Sequence, residues 1–359
     1  MISRAWAIAI LAAAAVSGCG PAVESAKVKG SSDAEIGRGA EIPGVALEKA
    51  EGLEPPSAEA AAATTSRGDG VFVKGDLVFR GASGGLVIGF MEEGGKKVLR
   101  RGVAYLPDAS SDVVVIGDVA YVATGPRGVV LVDVSDPSSP EVRGRITTPG
   151  AALRLFPDGD RLLVANGSAG VLLLDVREPS SPAALAAWKS EGYVRHAVLS
   201  GDDVYVAEGR SGVSRLRFCE GGFEHVWRHD TGGQARGISI NGQVAAIANG
   251  PSGLLMMDIG KEIPGSLGSL PLEDMARDAL FSADGSRVFV ATGDDGIAVA
   301  DVTDPAAPKR SGEFLTDKPT NRLRADGERL CVGNDSAGLL LLDVSDPDSP
   351  EKIYPPLEE

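Results

Sequence analysis

The chain is short of aromatics, histidine, cysteine and positive charge, and each shortage removes a class of explanation. Aromatic residues make up 5 % of 359, so the 43 % hydrophobic content must pack largely as Val, Leu, Ile and Ala. Three histidines, His196, His225 and His229, leave little room for a His-rich metal site. Three cysteines, Cys19, Cys219 and Cys331, cannot form a disulfide framework in a chain this long. Lys and Arg number 35 against 50 Asp and Glu, giving a net charge of −15. That balance argues against nucleic-acid binding and against adhesion to an anionic membrane by charge, both of which need a basic face. There is no G-x-S-x-G, Walker A, H-E-x-x-H or C-x-x-C pattern. "GDDG" at 293–296 lacks the alternating oxygen ligands and closing Glu of an EF-hand loop. The sequence therefore predicts no metal and no cofactor.

Glycine, by contrast, is abundant at 47 residues, set with Asp, Asn and Pro between short aliphatic runs. This composition favours many short strands joined by tight turns over long helices.

The N-terminus reads as an address. Residues 1–18 have Arg4, then the apolar run "AWAIAILAAAAV", then small residues, as a secretory signal does. The run is too short for a convincing membrane span. "VSGC" at 16–19 resembles the lipobox of bacterial lipoproteins, which implies cleavage before Cys19 and a diacylglycerol on its thiol. Gly20, rather than Asp, follows the Cys, and in that resemblance this implies delivery to the outer membrane or cell surface. The lipid would then be the only membrane contact, and two or three acyl chains anchor stably. Residues 19–69 read as a lipidated, disordered tether rich in Ala, Glu, Gly, Pro and Ser. "RGD" at 67–69 matches an integrin-binding tripeptide, a coincidence too short to assign anything.

From residue 70 to 359 one pattern recurs. The glycine opening each "GLLLLDV"-like run falls at Gly85, Gly128, Gly170, Gly212, Gly253, Gly296 and Gly338, at separations of 43, 42, 42, 41, 43 and 42. Within the third period, "AALRLFP", "RLLVANG", "GVLLLDV" and "AALAAWKS" read as four strands with turns between them. Four short strands per period of about 42 describe one propeller blade, so the predicted fold is an all-β, seven-bladed β-propeller of four-stranded antiparallel blades. The first period supplies its own inner strand near 70–75 and the last its own outer strand near 351–356. Closure by simple packing of the end blades is therefore expected, and the propeller is expected to be monomeric.

"YVATGPRGVVLVDVSDPSSP" (121–140) and "LCVGNDSAGLLLLDVSDPDSP" (330–350) resemble the LVIVD repeat of bacterial and archaeal envelope propellers. The likeness is strong in the second, third, sixth and seventh periods and weaker in the first, fourth and fifth. It implies a fold and an envelope location, and no reaction.

Repeated residues read first as structure. Asp136, Asp304 and Asp346 each precede a Pro, and such a carboxylate can accept turn N–H groups. Glu178 and Pro179 stand there in the third period. Asp133, Asp175, Asp258, Asp301 and Asp343 recur five residues after the marker glycine, as turn or inter-blade groups. His225 and His229, four apart on a strand, are expected on one face, too distant to share a metal. Cys219 and Cys331 read as packing residues.

The exception is arginine at the inner strands: Arg154, Arg195, Arg236, Arg277 and Arg322. Inner strands line a propeller's channel, so these five are candidates for a ring near one mouth that binds an anionic ligand. The alternative is that each pairs with a repeated Asp. The functional expectation is a non-catalytic binding or scaffold module for an envelope or surface protein, a polysaccharide or a small anion. The other reading is a propeller enzyme of the lactonase or quinoprotein kind, acting at the channel mouth.

Overall fold

A computed structural model describes residues 42–50 and 70–354, apart from 83, 93–96, 107, 220–221 and 335–337. Cys19, the signal segment and most of the tether lie outside the described residues.

The strands fall into seven sheets. One strand, β1 (Ala46–Lys49), precedes the repeats. Blade one holds β2 (Val71–Lys74), β3 (Leu77–Ala82), β4 (Gly85–Glu92) and β5 (Lys97–Tyr105). Blade two holds β6 (Asp112–Ile116), β7 (Val119–Ala123), β8 (Val129–Asp133) and β9 (Glu141–Thr147). Blade three holds β10 (Arg154–Asp158), β11 (Arg161–Ala165), β12 (Val171–Asp175) and β13 (Ala183–Trp188). Blade four holds β14 (His196–Ser200), β15 (Asp203–Ala207), β16 (Val213–Cys219) and β17 (Gly222–His229). Blade five holds β18 (Gly237–Asn241), β19 (Val244–Ala248), β20 (Leu254–Asp258) and β21 (Gly265–Leu270). Blade six holds β22 (Asp278–Phe281), β23 (Arg287–Ala291), β24 (Ile297–Asp301) and β25 (Lys309–Phe314). Blade seven holds β26 (Thr320–Asp326), β27 (Arg329–Asn334), β28 (Gly338–Asp343) and β29 (Glu351–Tyr354). Every blade is an antiparallel meander in chain order, which is the predicted seven-bladed propeller.

The second and third strands of each blade are aliphatic throughout because neighbouring blades cover both their faces. Leu162, Val164, Leu172 and Leu174 pack with Val114, Tyr121 and Leu131 of blade two, while Leu163, Val171 and Leu173 pack toward Val204 and Val206 of blade four. The ring closes by packing, as expected. Val71, Val73, Val78 and Met91 of blade one share a cluster with Cys331 and Leu341 of blade seven. Cys331 is a packing residue there, its thiol pushed up to about 12 by burial.

The marker glycine has a steric cause. Gly128 has φ +86°, and a Cβ on it would lie 2.1 Å from the carbonyl oxygen of Ile146 in the outer strand. No side chain fits where the third strand begins under that carbonyl. Gly170, Gly212, Gly253 and Gly296 are in the same position against their own outer strands.

The repeated aspartates are turn residues. Asp136, Asp304 and Asp346 accept the N–H of Ser138, Ala306 and Asp348 at 2.9 to 3.1 Å. Asp133, Asp175, Asp258, Asp301 and Asp343 accept from the residue two further on at 2.8 to 3.0 Å. The Ser135 hydroxyl and amide, with Arg143, hold the Asp133 carboxyl down to about 2.

Two expectations need correction. Part of the stretch read as a tether is ordered: β1 pairs with β9, with Ala46 opposite Thr147 and Lys49 opposite Gly144. Ile42 is 5 % exposed and joins the core between blades two and three, while Glu48 bonds Arg145. A lone aliphatic before a four-residue strand has no periodicity from which to read it. His225 and His229, expected on one face, lie on opposite faces. A bulge between Arg215 and Leu216 leaves His225 opposite Leu216 and His229 opposite Val213, an odd offset. His225 stacks on Trp188 at 5.9 Å.

Candidate functional site

The inner strands of blades three to seven are each fixed at their start by a bridge to the preceding blade. Gly125 pairs with Ala152, Gly167 with Val194, Gly209 with Ala235, Gly250 with Ala276 and Gly293 with Thr320. The residue after each bridge is Leu153, Arg195, Arg236, Arg277 or Asn321. The next one is Arg154, His196, Gly237, Asp278 or Arg322. Successive side chains on a strand leave it on opposite sides, so the five predicted arginines do not form one ring. Arg195, Arg236 and Arg277 share one register, and Arg154 and Arg322 share the next.

The second register crosses the channel. From blade one to blade seven it reads Gly70, Asp112, Arg154, His196, Gly237, Asp278 and Arg322. Arg154 reaches from blade three to Asp278 of blade six with two bonds, Nη1 to Oδ1 at 3.0 Å and Nη2 to Oδ2 at 2.8 Å. Their side chains are 9 % and 2 % exposed. A buried, bidentate pair of this kind offsets the loss of water that either charge alone would suffer. Asp278 also accepts the N–H groups of Ala279 and Leu323, at 3.0 Å each. Asp112 repeats the arrangement, accepting from Val113 at 3.0 Å and Leu155 at 2.9 Å. Each carboxylate thus satisfies the open edge of the next blade's inner strand, whose N–H groups have no further strand to pair with.

The glycines of this register make room for the two aspartates. A Cβ on Gly237 would lie 2.6 Å from Asp278 Oδ1 and 2.8 Å from its Cα, and one on Gly70 would lie 2.6 Å from the Cα of Asp112. Glycine at this position of blades one and five therefore has a packing reason.

His196 takes the place of a carboxylate in blade four. Its Nδ1 accepts from the Ile238 N–H at 3.2 Å and faces Arg154 Nη1 at 3.1 Å. Two donors on Nδ1 require a neutral ring with its proton on Nε2. Burial, then the guanidinium charges of Arg154 and Arg324, drive its pKa well below 6.5. Arg324, one turn of the pleat further on, reaches Asp112 at 3.4 and 3.5 Å and lies over the ring of Phe72. Arg322 donates from Nη2 to the Leu153 carbonyl at 3.0 Å, while its buried Nε and Nη1 have no hydrogen-bond partner. This layer spans the channel from blade three to blade six.

On one side of the layer lies a cavity of about 380 Å³, walled by residues from the layer to the far ends of the inner strands. On the other side is the mouth where the inner strands begin. There Arg195 lies over Tyr193 at 5.3 Å, and Arg277 bonds Asn321. Burial lowers the pKa of Arg236, and the charges of Arg195 and Arg277 lower it further, so the three guanidiniums of blades four, five and six are close enough to repel. Among the described residues none of the three is in an ion pair. Asp274, beside Arg277, already accepts the N–H groups of Met275 and Asp294.

The predicted site residues thus divide. Arg154 is taken up by Asp278, a partner outside the repeated aspartates, while Arg195, Arg236 and Arg277 converge at a mouth. Asp112, His196 and Asp278 were missed, though they occupy one aligned position where the copies disagree in charge. No cluster of three or more metal-ligating side chains occurs among the described residues.

Comparison with known proteins supports the repeats and the fold. The LVIVD repeat model matches residues 108–148, 232–267, 282–316 and 320–353. These are blades two, five, six and seven, so blade five matches where the resemblance was judged weak, and blade three does not. No curated protein matches the chain. Similar solved structures include a "putative 6-phosphogluconolactonase" from Bacteroides fragilis, at 14 % identity and TM-score 0.62, covering 81 % of this chain and 95 % of that one. The WD40 domain of Neurospora crassa Pan2 is 11 % identical with TM-score 0.60, covering 78 % and 90 %. The computationally designed Ika8 protein is 10 % identical with TM-score 0.58, covering 78 % and 84 %. At such identities the likeness is one of fold alone. The protein is a seven-bladed β-propeller, four of whose blades match the LVIVD repeat.

Proposed function

We propose that this protein is a non-catalytic binding module, lipid-anchored through Cys19 at the outer membrane or cell surface, that docks an acidic protein or polysaccharide on the mouth formed by Arg195, Arg236 and Arg277. The observation that carries this reading is the convergence on adjacent blades of three guanidiniums, none of them in an ion pair among the described residues, in a chain with net charge −15. Mutual repulsion and partial dehydration oppose such a cluster in the free protein, and an anionic partner relieves both. Planar guanidiniums also suit carboxylate or sulfate groups, which they grip with two bonds. The channel-crossing polar groups beyond the mouth are largely committed to one another, which favours binding over chemistry there.

The test is binding of poly-L-glutamate by the full chain in detergent, at a series of salt concentrations. Affinity should fall with salt, and the triple variant R195Q/R236Q/R277Q should bind about ten-fold more weakly or worse. Equal affinity in the triple variant would overturn the reading. The anchor is tested separately: Cys19→Ser should move the protein from the membrane fraction to the soluble one.

A further inference from the structure

A cavity lies on the opposite side of the polar layer from the arginine mouth. Its walls are apolar, from Phe156, Val198, Ile238, Ile240 and Leu280, and its floor is the layer itself. A volume of about 380 Å³ lies within the range of about 300 to 1,000 Å³ usual for small-ligand pockets.

The charges of the floor do not balance. Three guanidiniums line the cavity, Arg154, Arg322 and Arg324, against two carboxylates, Asp112 and Asp278, leaving one positive charge in excess. Arg154 and Asp278 neutralise each other in a short bidentate pair. Asp112 is left to Arg324 at 3.4 Å or more. Among the described residues Arg322 is in no ion pair, and its buried Nε and Nη1 have no hydrogen-bond partner. A dehydrated guanidinium with open donors is costly. His196 adds a donor to the same floor: with Nδ1 accepting, Nε2 carries the proton and has no partner among the described residues.

We infer that this cavity binds a small monoanion with an apolar body, of the medium-chain carboxylate class, its head group held by Arg322 with Arg324 and His196 beside it. One negative charge balances the layer, and the aliphatic walls cover the rest of the ligand. The site is independent of the arginine mouth, since Arg195, Arg236 and Arg277 do not line the cavity.

The experiment is titration calorimetry of the full chain in detergent below its micelle-perturbing ligand range, with octanoate, octan-1-ol and octylamine. Octanoate should bind one per chain, octan-1-ol about ten-fold more weakly and octylamine not measurably, because only the carboxylate balances the excess positive charge of the floor. Arg322→Gln should lower octanoate affinity by about ten-fold or more and bring it near that of octan-1-ol. Ile240→Trp, which fills the cavity from its wall, should abolish binding of both. The mouth variant R195Q/R236Q/R277Q should bind octanoate as the unaltered chain does. Absence of saturable octanoate binding overturns the proposal, as does equal affinity for octanoate and octan-1-ol. Should Arg322→Gln not fold, the comparison of the three ligands on the unaltered chain still decides.

Discussion

The outer and inner parts of each blade were built to different rules. Outside, at the turn between third and fourth strands, copies repeat the same aspartates and prolines, and bonds close within two residues of sequence. Inside, at the first position of the inner strand, the copies carry Gly, Asp, Arg and His, and the Arg154–Asp278 pair spans 124 residues. Repetition marks what every blade needs to fold against its neighbours. Divergence marks what only some blades supply, and the groups able to bind something lie there.

The sharpest way to break this comparison is to remove a single inner residue. Asp278→Ala leaves Arg154 buried without a counter-charge and two backbone N–H groups unpaired, and should cost about 3–5 kcal/mol in denaturant unfolding. Adding Arg154→Met should recover part of that loss, because the orphan charge goes with it. A milder effect is expected at an outer scaffold position: Gly128→Ala forces a Cβ against the Ile146 carbonyl at positive φ and should cost about 1–3 kcal/mol.

Acid should separate the two regions by pH. His196 stays neutral when folded, well below its usual 6.5, whereas the unfolded chain takes up a proton there. The unfolded state therefore binds more protons below pH 6.5, and stability falls as pH drops through that value. His196→Gln should flatten this first limb, leaving the smaller part from His225, which burial also depresses. Asp133 and Asp284 are held down to about 2 by neighbouring serines. Their stabilisation is complete above the usual carboxylate value of 3.8 and disappears as pH falls toward 2. Replacing both by Asn should shrink that second, smaller limb, to which Asp136, Asp258, Asp301, Asp343 and Asp348 also contribute, and leave the first unchanged.

The fold was legible because its determinants are local and repeated. Gly128 and its counterparts state their geometry within a few residues in all seven periods, and the Asp136-Pro137, Asp304-Pro305 and Asp346-Pro347 turns repeat theirs in three. The site was legible only in part. Arg195, Arg236 and Arg277 were found because one residue type recurs. Arg154 and Arg322 were grouped with them because a one-residue offset, which turns a side chain to the other side of a strand, leaves no mark in a list of arginines. Asp112 and Asp278 went unseen because their partners, Leu155, Arg154 and Leu323, come from other blades. β1 escaped notice because its pairing partner β9 lies about 100 residues away.

The most direct test of this division measures stability and binding together in two triple variants. R195Q/R236Q/R277Q alters the inner mouth, and D133A/D301A/D343A alters the repeated outer turns. The mouth variant should keep or raise its unfolding midpoint and lose affinity for poly-L-glutamate, while the turn variant should lose midpoint and keep affinity. A mouth variant that binds as before, or a folded turn variant that no longer binds, would contradict the account.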